Sequence, residues 1–168
     1  MIIDAHAHIF DEKTYKEYAA RAQGHIDKII SIHSWSEPNE YGKIIYWKIE
    51  DLLLLAKKYK ALSIVASVSL VGNITKQLNT LEKLLKQKKI VGIKLYTGYQ
   101  HFYASDKRIY PIAKLCAEYG KPLILHCGDV DDTVAKSMLK YSNPIYIDEL
   151  AVKFPSCNII IAHFGFPY

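Results

Sequence analysis

The sequence is poor in cysteine, with three in 168 residues. Cys116, Cys127 and Cys157 are odd in number and far apart along the chain. They fit neither a disulfide framework nor a zinc ribbon, and they point to a reducing, cytoplasmic setting. Long hydrophobic runs are also missing, and none approaches the ~20 residues that crossing a bilayer takes. The N-terminal apolar run is too short for a secretory signal and is broken by Asp4 and His6. No glycine-rich turn follows the first strand-like run, which argues against a dinucleotide-binding sheet. Internal repeats, low-complexity tracts and linkers are absent. The formal charge of +5 comes mainly from lysines spread over expected helix surfaces. Lys86, Lys88 and Lys89 form the one tight basic group, at a helix end where cations suit the dipole. Nucleic acid and membrane are therefore not expected partners, and a small-molecule substrate is.

The chain alternates two kinds of segment. Strand-like runs occupy Ile2–Phe10, Lys28–His33, Leu62–Leu70, Val91–Tyr96, Pro122–Cys127 and Asn158–His163. They are rich in Ile, Val and Leu, as expected of strands buried on both faces. Helical periodicity lies between them: Ile49, Leu52, Leu53, Ala56, Tyr59; then Ile74, Leu78, Leu81, Leu84, Leu85. A third stripe runs Ile109, Ile112, Ala113, Cys116, Tyr119, stopped by Gly120 and Pro122, and a fourth runs Ile147, Leu150, Ala151, Phe154. Thr14–Ala22 reads as a short polar helix. Strands joined by crossover helices imply a parallel sheet. The polar residues sit at the C-terminal ends of several strands, where barrel enzymes carry their chemistry. The expected fold is therefore α/β, a TIM-type (β/α)₈ barrel with about six β/α units in this chain. Residues 1–168 form a single barrel domain that stops before strands 7 and 8.

The most informative stretch is Asp4-Ala5-His6-Ala7-His8. Alternation along a strand puts Asp4, His6 and His8 on one face and Ala5, Ala7 and Ile9 on the other. Two neighbouring imidazoles on one face can grip one metal ion. Three further candidates end later apolar runs: Lys94 in Gly92-Ile93-Lys94-Leu95-Tyr96, His126 in Pro122-Leu123-Ile124-Leu125-His126, and His163 in Ile159-Ile160-Ile161-Ala162-His163. A basic residue closing a buried apolar strand is costly to desolvate unless it is paired or ligates a metal. Together these strand ends predict one shared site.

These motifs, taken in order with Gly120-Lys121 before Pro122 and Phe164-Gly165 after His163, resemble the amidohydrolase superfamily, in particular its amidohydrolase-2 group of metal-dependent hydrolases and nonoxidative decarboxylases. The resemblance implies that the first-strand histidines and the fifth-strand histidine ligate a divalent metal, usually zinc. The sixth-strand histidine then ligates a second metal or contacts substrate. The aspartate that ends the eighth strand in that group has no counterpart, since Asp129, Asp131, Asp132 and Asp148 all come too early.

Three protein ligands plus water is the usual open catalytic zinc arrangement, and His6, His8 and His126 can supply the three. His163 is then the remaining candidate for moving protons. Lys94 has two readings. The resemblance implies that it is carboxylated and bridges two metals, as in the binuclear members of the superfamily; otherwise it stays cationic and pairs with a substrate carboxylate. The expected cofactor is a divalent metal, zinc, as one or two ions. The expected activity is hydrolysis, with a metal-activated water attacking an amide, lactone or related bond. The alternatives are nonoxidative decarboxylation, or a non-catalytic chain that keeps only a metal site. Thr97-Gly98-Tyr99-Gln100-His101-Phe102 is either a substrate loop or an ordinary loop capping the barrel end. His33 and Trp35 read as core or surface residues near the pocket, Asp129 as a solvated carboxylate near His126, and His25 and Cys127 as structural, with Cys127 facing the helices. First and sixth strands with bare edges invite homo-oligomerisation.

Overall fold

Apolar strands alternate with amphipathic helices, and a computed structural model shows what that pattern builds. It describes residues 1–34, 48–130 and 137–168. The elements run β1 (Ile3–Ala7), α1 (Glu12–Ala22), β2 (Lys28–Ile32), α2 (Ile49–Lys58), β3 (Leu62–Ser67), α3 (Ile74–Lys86), β4 (Gly92–Leu95), α4 (Tyr110–Glu118), β5 (Leu123–Leu125), α5 (Ile145–Lys153) and β6 (Ile159–Ile161). The six strands pair in sequence order, and every pairing is parallel. Single-turn 3₁₀ segments lead into α4 and α5 and follow β6.

Two of the helices, α1 and α3, start where a side chain caps them. Asp11 accepts from the Thr14 amide at 2.7 Å, and Thr14 Oγ1 accepts from the Asp11 amide, a reciprocal box that opens α1 two residues ahead of the sequence expectation. Asn73 caps α3 by accepting from the Lys76 amide at 2.9 Å. The strands end earlier than expected at the rim, so His8, Tyr96, His126 and His163 lie just past them. There the chain leaves the ladder and turns, and side chains replace the strand's bonds: Ser31 Oγ accepts from the Ile9 amide at 2.9 Å.

Alternation sorts the side chains into two layers. Ile64, Ile93, Leu95, Leu123 and Leu125, none more than 0% exposed, join Ile112, Cys116 and Leu150 between sheet and helices. Burying each such side chain contributes roughly 1.5–3 kcal/mol. Cys127 lies in the same helix-facing layer, as expected. The opposite face carries a smaller cluster of Ile32, Val65, Ile124 and Ala162, with Tyr96 packed against it. This inner face is concave. A flat six-stranded sheet would hold its outer strands roughly 24 Å apart at the usual spacing. Here the ring of His6, on β1, stands 5.2 Å from the ring of His163, just after β6. The sheet is a curled half-barrel of the TIM type, with its helices outside. Among the described residues, no helix is long and apolar enough to cross a membrane.

Candidate metal centre

The inner face of this curl is apolar at its base and basic at its C-terminal rim. His6 and His8 project from β1 and its end with ring centroids 5.4 Å apart. His163 lies 5.2 Å from His6 and 4.6 Å from His126. The four rings form a continuous arc across strands that meet only because the sheet curls. His163 reaches it through an unusual backbone. It and Phe164 both adopt left-handed conformations, φ 62° and 53°, which non-glycine residues seldom hold without a local reason. The sequence expectation had His163 ending β6 in extended geometry. In the structure it stands on a turn that swings its ring inward.

Lys94 sits at the centre. Its side chain is fully buried, and among the described residues its Nζ has no hydrogen-bond partner. The ammonium lies 5.2 Å from the centre of the Tyr96 ring. Burial alone pulls its pKa from 10.5 to about 7. The histidines respond together. His6 is lowered to about 4 and His126 to about 3, first by burial and then by the Lys94 charge. His8 and His163 move the same way for the same two reasons. All four are therefore neutral imidazoles at neutral pH, the form that ligates metals.

Backbone carbonyls choose two of the tautomers. The Ile32 carbonyl, 3.2 Å from His8 Nδ1, accepts that N–H and leaves Nε2 with the lone pair. The Asp129 carbonyl, 2.5 Å from His126 Nε2, takes that N–H and leaves Nδ1. Such outer partners fix ring orientation at metal sites. Thr97 Oγ1 donates to the His126 carbonyl, and the Tyr99 ring packs edge-on to the imidazole at 4.8 Å. Gly128 makes the turn possible: at φ +85°, a Cβ there would collide with the Gly165–Phe166 backbone. The Asp129 contact was legible in neither composition nor periodicity. The sequence reading considered its carboxylate, whereas the structure uses its carbonyl; the exposed carboxylate accepts from the Val130 amide instead.

Asp4 leaves the histidine face. β1 is irregular between Asp4 and Ala7, and the Asp4 carboxylate accepts from the Tyr18 hydroxyl of α1 and, at 2.9 Å, from the His6 amide. The segment 97–102 is mostly buried rather than an open substrate loop. Gln100 Oε1 accepts from the Leu70 amide, and of this run Tyr99 touches the histidine arc. His33 is a core residue, 2.9 Å from Ser67 Oγ through Nδ1. His25 is exposed, away from the arc. Trp35, Asp131 and Asp132 lie outside the described residues.

The donor set suits a divalent cation. It offers four neutral imidazoles and one amine that burial has brought near neutrality, with no carboxylate ion-paired to that amine among the described residues. As the side chains stand, no three His, Cys, Asp or Glu side chains among the described residues already surround one point closely enough to hold a metal.

A curled parallel β/α sheet with a basic, imidazole-rich rim at its C-terminal edge defines a half-barrel of the TIM class. The chain belongs to the amidohydrolase family, whose model matches residues 3–168. Solved structures share the fold. An uncharacterised TIM-barrel protein of Bordetella bronchiseptica superposes with a TM-score of 0.73 at 21% identity, covering 94% of this chain and 52% of that one. A probable 2-pyrone-4,6-dicarboxylic acid hydrolase of Acinetobacter baumannii gives 0.60 at 18% identity, covering 98% and 58%. A 5-carboxyvanillate decarboxylase of Novosphingobium aromaticivorans, with bound manganese, gives 0.61 at 15% identity, covering 89% and 49%. The chain thus spans about half the length of these structures. No curated protein matches it.

Proposed function

We propose that this chain carries the metal-holding part of a metal-dependent hydrolase active site. The observation that carries the reading is the arc of four neutral imidazoles around a buried, partnerless Lys94. His6, His8 and His126 would hold a divalent cation, zinc by the chemistry of three imidazole donors. His163 and Lys94 would complete a second position or face the substrate. A divalent cation there supplies Lewis acidity, polarising a carbonyl and lowering the pKa of water.

The chain's own residues do the rest. Tyr96 and the apolar inner layer exclude water from the base of the site. The Ile32 and Asp129 carbonyls present two imidazoles in a fixed tautomer. His163, less enclosed than His126, is placed to take and return a proton. Lys94 is poised near neutrality. As an amine it could take up carbon dioxide with loss of a proton, and the carbamate would then offer oxygen donors to a divalent cation; as an ammonium it could grip a substrate carboxylate. The substrate is a small molecule with an amide, lactone or related bond. Its partnerless charge favours a second reading, nonoxidative decarboxylation of a carboxylic acid, and decarboxylases are among the proteins of similar fold. We further place the protein in the cytoplasm as a homo-oligomer.

The test is metal content with turnover. Chain purified without chelators should carry stoichiometric zinc, and His8→Ala should lose both the metal and hydrolysis of a lactone, ester and amide panel. Carbon dioxide release from aromatic acids, with no hydrolysis, would move the assignment to the decarboxylase reading. Metal without either turnover would identify a non-catalytic site, and absence of metal would end the proposal.

A further inference from the structure

Away from the rim, at the N-terminal end of the sheet, a cleft of about 650 Å³ opens beside α2. Its volume falls in the range of small-molecule sites. Leu62 and Ile64 of β3 make its floor with Val91, just before β4, and Leu53 and Leu54 of α2 make its wall. The floor belongs to the buried core, whereas Leu54 is 66% exposed. Charge is sorted along this apolar surface. Glu50, Leu53, Leu54 and Lys57 recur at the spacing that places residues on one helix face. Glu50 therefore stands at one end of the wall and Lys57 at the other, about 10 Å along the helix axis. α2 runs down towards the start of β3, and Lys88 and Lys89 precede the start of β4, so the three lysines that line the cleft gather at one end of it.

That end is short of anions. Glu12, Glu17 and Glu82 pair with Lys13, Lys16, Lys58 and Lys86, and among the described residues no ion pair reaches Lys57, Lys88 or Lys89. The C-termini of α2 and α3 together offset about one of the three positive charges. The backbone adds an independent sign. α3 closes with the Lys88 amide on the Leu85 carbonyl and the Lys89 amide on the Leu84 carbonyl, both at 2.9 Å, the pair of bonds that ends a helix on a left-handed residue. Lys88 is that residue, at φ 53°. Glycine usually holds such a position, because a Cβ crowds the left-handed backbone. Lysine there carries strain and delivers an ammonium-bearing side chain to the cleft.

We propose that this cleft binds a medium-chain alkyl monocarboxylate, its carboxylate against Lys57, Lys88 and Lys89 and its chain along Leu53, Leu54 and Val91 towards Glu50. Sorted charge fixes the direction, since the anionic head has three ammonium groups at one end and a carboxylate at the other. The apolar length fixes the chain: an extended chain advances about 1.2 Å per bond, so roughly eight to ten carbons span the wall. Glu50 fixes the far end, where a second carboxylate would meet like charge. The site is remote from the histidine arc and stands whether or not that arc holds a metal.

Isothermal titration with decanoate, decanedioate and decyltrimethylammonium, each below its micelle concentration, tests the assignment. Decanoate should bind saturably at one site per chain, and the other two should bind at least about fivefold more weakly. Lys88→Gly should weaken decanoate roughly fivefold, as the loss of one charge-assisted contact. It should also raise the thermal midpoint, because glycine accepts the left-handed backbone, so the weaker binding is not a loss of fold. Leu54→Glu, at an exposed position, should abolish binding by setting a carboxylate beside the chain. No saturable decanoate binding, equal binding of decyltrimethylammonium, or wild-type affinity in both variants would overturn the proposal; the last result would place decanoate at the histidine rim or on the exposed apolar edge of β6.

Discussion

At the residue scale the decisive group is Lys94. Its pKa falls from 10.5 to about 7 through burial, so the folded chain sheds that proton about three pH units before the unfolded chain does. Between pH 7 and 10.5 the unfolded state binds more protons, and stability must rise with pH. Lys94→Met removes the buried ammonium. It should raise the stability of the metal-free protein at pH 7 and below by up to roughly 4 kcal/mol and flatten the rise between pH 7 and 9. Urea titrations of both proteins across that window decide the matter; parallel curves would show that the amine is not desolvated as the structure has it. The imidazoles give a second expectation. With His6 lowered to about 4 and His126 to about 3, protons compete weakly for the lone pairs. Bound zinc should therefore survive dialysis at about pH 5, where a site of ordinary histidines is already protonating. Zinc lost between pH 7 and 6 would contradict the lowered values. These residues were legible because a basic side chain ending an apolar run is conspicuous. The Asp129 carbonyl against His126 was not, since no local pattern reports where a turn aims its backbone oxygen.

At the element scale, apolar runs and helical periodicity made the described strands and helices legible, and the errors fell at strand ends. Ile2–Phe10 was expected as one strand, yet the ladder stops at Ala7, because the segment beyond must turn across the rim and bonds to Ser31 instead. α1 shows how little of an element's fixing is visible in its own sequence. It buries no residue fully, and Glu12 ties it down. That carboxylate meets Lys58 at 2.7 Å, Lys16 at 2.8 Å and the Tyr59 hydroxyl at 3.0 Å, linking α1 to α2. Hydrogen bonds from Lys16, Lys58 and Tyr59 lower its pKa from 4.5 to about 2. Its contribution is complete above pH 4.5 and drains away as pH falls towards 2. Glu12→Gln should therefore lose less stability over that interval than the wild type, measured as the shift of the urea midpoint; equal losses would dismiss the link. The turn after β5 makes a harsher demand. Gly128→Ala forces φ +85° on a residue with a Cβ and drives it into the Gly165–Phe166 backbone. It should destabilise the fold by about 2 kcal/mol or more and weaken metal uptake, since the same turn brings the Asp129 carbonyl to His126.

At the scale of the whole molecule, curvature was only half legible. Six apolar strands with crossover helices dictate a parallel sheet, and polar strand ends favour a barrel over an open sheet, but the arc that brings His6 to His163 depends on twist accumulated over all the strands. Among the described residues, the same curl leaves β1 and β6 as the two sheet edges. Their surroundings are apolar: Ile2, Ile3, Ile160 and Ile161 are each about half exposed, Phe166 67% and Phe164 fully. Exposed apolar edges pair with other chains unless charge or cover prevents it, and no lysine interrupts the run from Ile159 to Tyr168. The isolated chain should therefore sediment as a dimer or larger species. Ile161→Lys combined with Phe164→Lys should shift it to monomer with its helical circular dichroism unchanged, because both side chains already face solvent and a lysine on an edge repels a second strand. If the wild-type chain sediments as a monomer at its highest attainable concentration, edge pairing is not how this half-barrel is completed. If the double variant stays oligomeric, the interface lies on the helices instead.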